Sequence, residues 1–278
     1  MTSTTTSSLT PPSFSTVRVQ ILPQGVGIIQ LSQPEKANSL TGETYADLLE
    51  SLLWLGKQPS AKVVVLTGMG KFYTSGQDLT IVADINNEAK FKKTWKASLD
   101  FVDAVIDFEK PLVAAVNGHA VGFGVTSLGL CDMVYSSEDA TFQTPFMQLA
   151  FCAESCSTYT FPRILGPSRA KEMLLLNRTF TATELVDAGF VARTFPGGEG
   201  FLDRVIQHIA PMGRYESVAL TTTKRLIHTD EERRILREVN HREMVELEAR
   251  MKSKESQRAI RHFFASRKPG KPKPKSKL

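Results

Sequence analysis

A chain of 278 residues, 41% hydrophobic and 23% charged, carries enough apolar side chains for one large domain or a domain with a small appendage. The formal net charge is +5, but residues 267–278 hold six basic side chains and no acid, so the rest is close to neutral and a basic, nucleic-acid-binding face is not indicated. Three cysteines without a CxxC pair or histidines at ligand spacing suggest neither a metal site nor a disulfide framework, and no run approaches the ~18 apolar residues of a membrane span.

Residues 1–14 (MTSTTTSSLTPPSF) lack packing groups and are expected to be disordered, with no apolar signal core. Residues 17–21 and 26–31 read as paired strands around a turn at Pro23-Gln24-Gly25. Thr41 offers an N-cap for a helix to about Lys57, whose Tyr45, Leu48, Leu49, Leu52 and Leu53 make an apolar stripe. KVVVLT at 62–67 is a continuous β-branched run, the pattern of a strand buried on both faces of a parallel sheet. PLVAAV at 111–116 and residues 132–136 repeat it, separated by a helical stretch at about 88–108 and a short helix, as right-handed βαβ crossovers require. Beyond about residue 165 the chain turns helical, with a capping box at Thr181-Ala-Thr-Glu184 and two closing helices near 230–251 and 255–266. The tail after residue 266 is Pro/Lys/Gly-rich and flexible by composition. It ends in Ser276-Lys277-Leu278, the tripeptide read by the peroxisomal import receptor, so a peroxisomal location is expected.

Two post-strand loops carry chemistry. In GKFYTSGQDL (70–79), small residues leave backbone N–H groups open to a ligand; NGHAVGFG (117–124) adds donors at the expected start of a helix. One donor from each loop would bracket a single oxygen as an oxyanion hole.

In this order and spacing, QPEKANSL (33–40), SGQDL (75–79), PLVAAVNGHAVGFG (111–124) and Cys131-Asp132 resemble the crotonase (enoyl-CoA hydratase/isomerase) superfamily over roughly residues 15–264. The resemblance implies an α/β fold: a spiral of ββα units at 15–200, a helical trimerisation region at 201–266, and a basic tail at 267–278. It further implies homotrimers or hexamers and an acyl-CoA substrate whose thioester oxygen is held by the N–H groups of Ser75 and Phe123. Ala37, Asn38, Leu40, Ser75, Gly76, Gln77, Asp78 and Leu79 match the positions that bind the coenzyme A moiety, which belongs to the substrate; no separate cofactor or metal is expected. Phe123 stands where many relatives have glycine, which narrows the neighbouring pocket.

Hydratases of the family resemble one another in two glutamates that activate water, and here those positions hold Thr126 and Phe146. Instead LAFCAESCSTYTFPR (149–163) is similar to the stretch of peroxisomal Δ3,Δ2-enoyl-CoA isomerases whose single catalytic glutamate matches Glu154. One carboxylate placed over C2 and C4 suffices to move a double bond, taking one proton and returning another, and Leu149, Phe151 and Phe161 would raise its pKa by excluding water. The competing readings are another crotonase reaction on a specialised acyl-CoA, a non-catalytic acyl-CoA-binding paralogue, and RNA binding through the tail. His119 is read as packing, Asp132 as structural and Asp78 as a loop-fixing acceptor. Cys152 and Cys156 are read as buried residues sharing a helical face.

Overall fold

A computed structural model describes residues 11–83 and 87–266. The disorder expected of the first ten residues and the accessibility expected of Ser276-Lys277-Leu278 therefore lie outside the described residues.

The chain opens with a hairpin of β1 (Val17–Ile21) and β2 (Val26–Leu31), antiparallel with Val17 opposite Leu31. α1 (Gly42–Lys57) follows, closed at its start by a reciprocal box: Thr44 N–H donates to Thr41 Oγ1 at 3.1 Å and Thr41 N–H to Thr44 Oγ1 at 3.2 Å. Next come β3 (Val63–Gly68), β4 (Phe72–Thr74), α2 (Thr80–Ala83), α3 (Glu88–Asp107), β5 (Leu112–Val116), β6 (His119–Val121), α4 (Phe123–Thr126), β7 (Met133–Ser137) and β8 (Thr141–Gln143). The remainder is α5 (Ser157–Ile164), α6 (Pro167–Leu176), β9 (Phe180–Thr181), α7 (Ala182–Asp187), β10 (Arg193–Phe195), α8 (Phe201–Ile209), α9 (Ser217–Ile227), α10 (Asp230–Met251) and α11 (Lys254–Ser266).

The larger sheet has the order β1-β2-β3-β5-β7-β10 and is parallel from β2 onward, as the buried β-branched runs predict. Alternation sends Ile28, Val63 and Val65 to the face covered by α8, and Ile29 and Val64 to the face covered by α1 and α3. A second sheet, β4-β6-β8-β9, is built from strands of two or three residues, too short for any periodicity to announce. Each of β4, β6 and β8 follows directly on a strand of the larger sheet and precedes a helix, so the chain winds as repeated ββα units. A core of Phe142, Phe161, Phe180 and Leu185 lies against this second sheet.

Two local expectations change. The helix after NGHAVGFG is a single turn, α4, continued by a 3-10 segment at Ser127–Leu130, so a helix macrodipole contributes little there. The helix expected around Glu154 starts only at Ser157, with Cys156 as its left-handed N-cap residue, so Cys152 and Cys156 do not share a helical face. Cys156 is buried and its Sγ–H donates to Leu236 O at 3.2 Å; Cys152 is half-buried. Among the described residues no helix is long and apolar enough to cross a membrane.

Candidate active site

The two loops that follow β3 and β5 are pressed together by backbone contact. Gly76 has φ +81°, and a Cβ there would sit 2.6 Å from Val121 O; a Cβ on Gly124 would sit 2.3 Å from Thr74 Cγ2. Asn38 locks the same region from beneath. Its Nδ2 donates to Met69 O at 2.9 Å, Phe72 O at 2.8 Å and Tyr73 O at 3.3 Å, while its Oδ1 accepts from Gln33 N–H at 3.0 Å. With its side-chain polar atoms spent on the loop and only 2% exposure, Asn38 is a brace for the site rather than part of its open surface. Leu40 is likewise turned inward, onto a small apolar cavity of about 30 Å³ shared with Leu48, Phe101 and Phe123.

The other expected ligand-binding positions come together. Ala37, Ser75, Gly76, Gln77, Asp78 and Leu79 line one cleft of about 400 Å³, within the range of ligand sites. Its far wall is Pro145, Phe146, Leu149 and Phe151, with Phe263 and Phe264 of α11. Asp78 fixes its own loop by accepting from Thr80 N–H at 2.9 Å, as expected.

The two expected oxyanion donors differ. Phe123 N–H is the first of α4 and so has no intrahelical acceptor. Ser75 N–H, by contrast, donates to Ala37 O at 2.9 Å, so a substrate oxygen would have to share or replace that acceptor. The Phe123 ring is buried, edge-on to Tyr45 at 5.1 Å and tilted against Phe101 at 6.2 Å, and these contacts explain how little cavity remains beside it.

Glu154 lies 8% exposed after Leu149 and Phe151 and is not itself among the residues lining the cleft. Burial, helped by the negative charge of Glu243, pushes its carboxyl up to about 8. The backbone around it is unusual: Ala150, Ser155 and Cys156 have φ of 54°, 55° and 63°, a conformation that non-glycine residues hold at a cost of ~1–3 kcal/mol each. Tyr45 joins the two halves of the site. Its hydroxyl donates to Gln77 Oε1 at 3.0 Å, and burial together with the Glu154 charge pushes its pKa well above the usual phenol value.

At the hydratase positions, Thr126 is fully buried with its Oγ1 directed at the carbonyls of Gly122 and Phe123, each at 3.4 Å, and Phe146 is buried in the cleft wall. His119 pairs with Thr141 Oγ1 at 2.7 Å and packs on Phe72. Asp132 forms a buried ion pair with Lys224 at 2.7 Å and accepts from Leu112 N–H at 2.6 Å, a structural role as expected.

Residues 22–271 match the family model described as enoyl-CoA hydratase/isomerase. The chain belongs to the enoyl-CoA hydratase/isomerase family. It is 40% identical over 244 residues to human enoyl-CoA delta isomerase 2, covering 87% of this chain but 61% of the relative, so it spans less than two thirds of that protein. It is 36% identical to mouse peroxisomal enoyl-CoA delta isomerase 3 over 242 residues, 86% of this chain and 75% of the relative. Among solved structures, an enoyl-CoA hydratase/isomerase from Pseudoalteromonas atlantica superposes with a TM-score of 0.82 at 28% identity, over 93% of this chain and all of the other. Pseudomonas aeruginosa OdaA gives 0.81 at 29% identity, over 89% and 98% of the two chains. These likenesses accord with the ββα winding and the helical C-terminal region of this crotonase-fold chain.

Sequence reasoning missed Tyr45 and Glu243 as parts of the site. Tyr45 looked like one more residue of an apolar stripe. Glu243 carried a signal: it falls on the buried face of α10, in step with Leu236, Val239 and Leu247, where an acid is out of pattern.

Proposed function

We propose that this chain is a Δ3,Δ2-enoyl-CoA isomerase in which Glu154 carries the proton. The observation that carries the reading is the buried Glu154 carboxyl, raised to about 8, while the two hydratase positions hold Thr126 and Phe146. An ionised Glu154 removes a proton from C2 of a 3-enoyl-CoA, and the electron pair moves through the double bond and thioester to leave a dienolate. The protonated Glu154 then delivers its proton to C4, giving the 2-enoyl-CoA with no net change in atoms or charge. The dienolate oxygen is stabilised by the N–H groups of Phe123 and Ser75, each such donor being worth about 3 kcal/mol. Ser75 N–H already donates to Ala37 O, so its contribution to that oxygen is reduced by the cost of sharing or giving up that bond. The coenzyme A moiety occupies the cleft along Ala37 and residues 75–79.

A peroxisomal setting is supported by Ser276-Lys277-Leu278 and by the peroxisomal relative's name, and fatty-acid β-oxidation is the pathway we propose for it. Val218, Leu226 and Ile227 of α9, 75%, 74% and 65% exposed, support burial against further copies in a homotrimer or hexamer. The test is Glu154→Gln with 3-enoyl-CoA and 2-enoyl-CoA substrates. Isomerisation should fall by about 10³-fold with acyl-CoA binding retained. Full activity in that variant, or water addition without isomerisation by the native protein, overturns the reading.

A further inference from the structure

The buried face of α10 is formed by Leu236, Val239, Met244, Leu247 and Met251, and Glu243 interrupts it at 5% exposure. An ionised carboxylate on such a face is strongly unfavourable unless its oxygens are fully hydrogen-bonded. Those of Glu243 are. Oε2 accepts from Cys156 N–H at 2.7 Å, and Oε1 accepts from Thr158 N–H at 2.9 Å and Thr158 Oγ–H at 2.5 Å. Each partner is a donor, so the ionised form is the one that fits.

These three bonds close on the turn that carries Glu154 into place. Ser155 and Cys156, the left-handed pair, separate Glu154 from α5, and the Glu243 contacts fall on and just after that pair. The other end of the segment is held by α10 together with α11: Ala150, also left-handed, has its carbonyl bonded by Arg250 Nε–H and Ser256 Oγ–H, each at 3.0 Å. Glu154 is thus suspended between two anchor points supplied by α10 and α11.

We propose that Glu243 is a positioning residue for Glu154, fixing the turn behind the acid and setting the field in which it exchanges its proton; this rests on the assignment of Glu154 as proton carrier. Glu243 is negative and close enough to push the Glu154 carboxyl up, in the same direction as burial. The other ionisable groups around the pair are Tyr45 of α1, Asp103 of α3, Cys152 and Cys156 of the segment, and Arg242 and Glu246 of α10; burial pushes the Glu243 carboxyl above the usual range, against which the bonds from Thr158 and Cys156 and the cationic Arg242 favour its ionised form.

The experiment compares the full chain with Glu243→Gln, Glu243→Ala and Thr158→Val, following kcat, KM and the pH profile with 3-enoyl-CoA, with thermal melting as the check on folding. Glu243→Ala should lower kcat about 100-fold through misplacement of the acid, with KM within about 3-fold of native. Thr158→Val, which loses only the Oγ–H bond, should move kcat the same way by less. Glu243→Gln removes the like charge, so the acidic limb of kcat/KM should move to lower pH. A folded Glu243→Gln with native kcat and an unmoved limb overturns the proposal, whether or not Glu243→Ala folds. So does a rise in KM alone. Glu154→Gln run in parallel separates the two ideas: if it is inactive while the Glu243 variants behave as native, only the positioning role fails, and if it is active the assignment of the acid fails.

Discussion

Ser75 and Phe123 reach the site just after β4 and β6, neighbouring strands of the second sheet, whereas Glu154 lies on a segment whose anchors, Glu243, Arg250 and Ser256, come 85 to 106 residues after the groups they bind. The first arrangement is made of backbone. Parallel pairing of β3 with β5 and of β4 with β6 sets the loops side by side, and Gly76 and Gly124 let them touch. The second is made of side chains that cross the molecule to hold a strained stretch of backbone. Damage to the donor side should therefore spread through the sheets and appear as lost stability. Damage to the acid side should leave the fold standing and appear in kcat.

The largest effect expected from that contrast is at Asn38. Replacement by Ala strips hydrogen bonds from the carbonyls of Met69, Phe72 and Tyr73 and from Gln33 N–H, and should destabilise the fold by about 2–4 kcal/mol. Chemical denaturation measures it. A loss of kcat at native stability would show instead that the donor loops are not carried by the brace.

The second prediction concerns pH and involves only the acid side. With its pKa raised to about 8 by burial and by Glu243, Glu154 as the base is protonated below that value, so kcat/KM of the native chain should climb as pH rises through about 8. A rate profile flat from pH 6 to about 9 would mean that the titrating base is elsewhere.

How legible each side was follows the same division. The central strands, α1 with its cap, and both C-terminal helices stood out in the sequence because β-branched runs, the Thr41 cap and an apolar stripe at helical spacing are local signals. The loops that hold Ser75 to Leu79 were legible for the same reason, from glycines placed directly after strands. The second sheet was not, since its strands are set by pairing rather than by pattern. Asn38 and Leu40 match coenzyme-A-binding positions by resemblance, which places residues along the chain but not their side chains; after the left-handed turn at Ala37 and Asn38 both are buried in the protein. Glu154 was found by resemblance. Its supports were hidden because a partner 87 residues away leaves no spacing to read, only a glutamate in an otherwise apolar register.

The smallest effect expected is at Ser256, which is fully buried and bonds Ala150 O from α11. Ser256→Ala removes that hydroxyl and leaves Arg250 Nε–H on the same carbonyl, so no buried acceptor loses its last partner, and the stability change should be only about 0.5–1 kcal/mol. Its value lies in the sign of the kinetic effect. If the acid segment is held at both ends, loosening the Ala150 end should lower kcat by a few-fold, roughly 2- to 5-fold, while KM stays near native. A double variant with Thr158→Val should then lose more than the product of the two single effects, because each end restrains the same nine-residue stretch, 150–158. Simple multiplication of the two would mean that the ends act independently, and the Glu154 segment would then behave as two local turns rather than as one element clamped by the C-terminal helices.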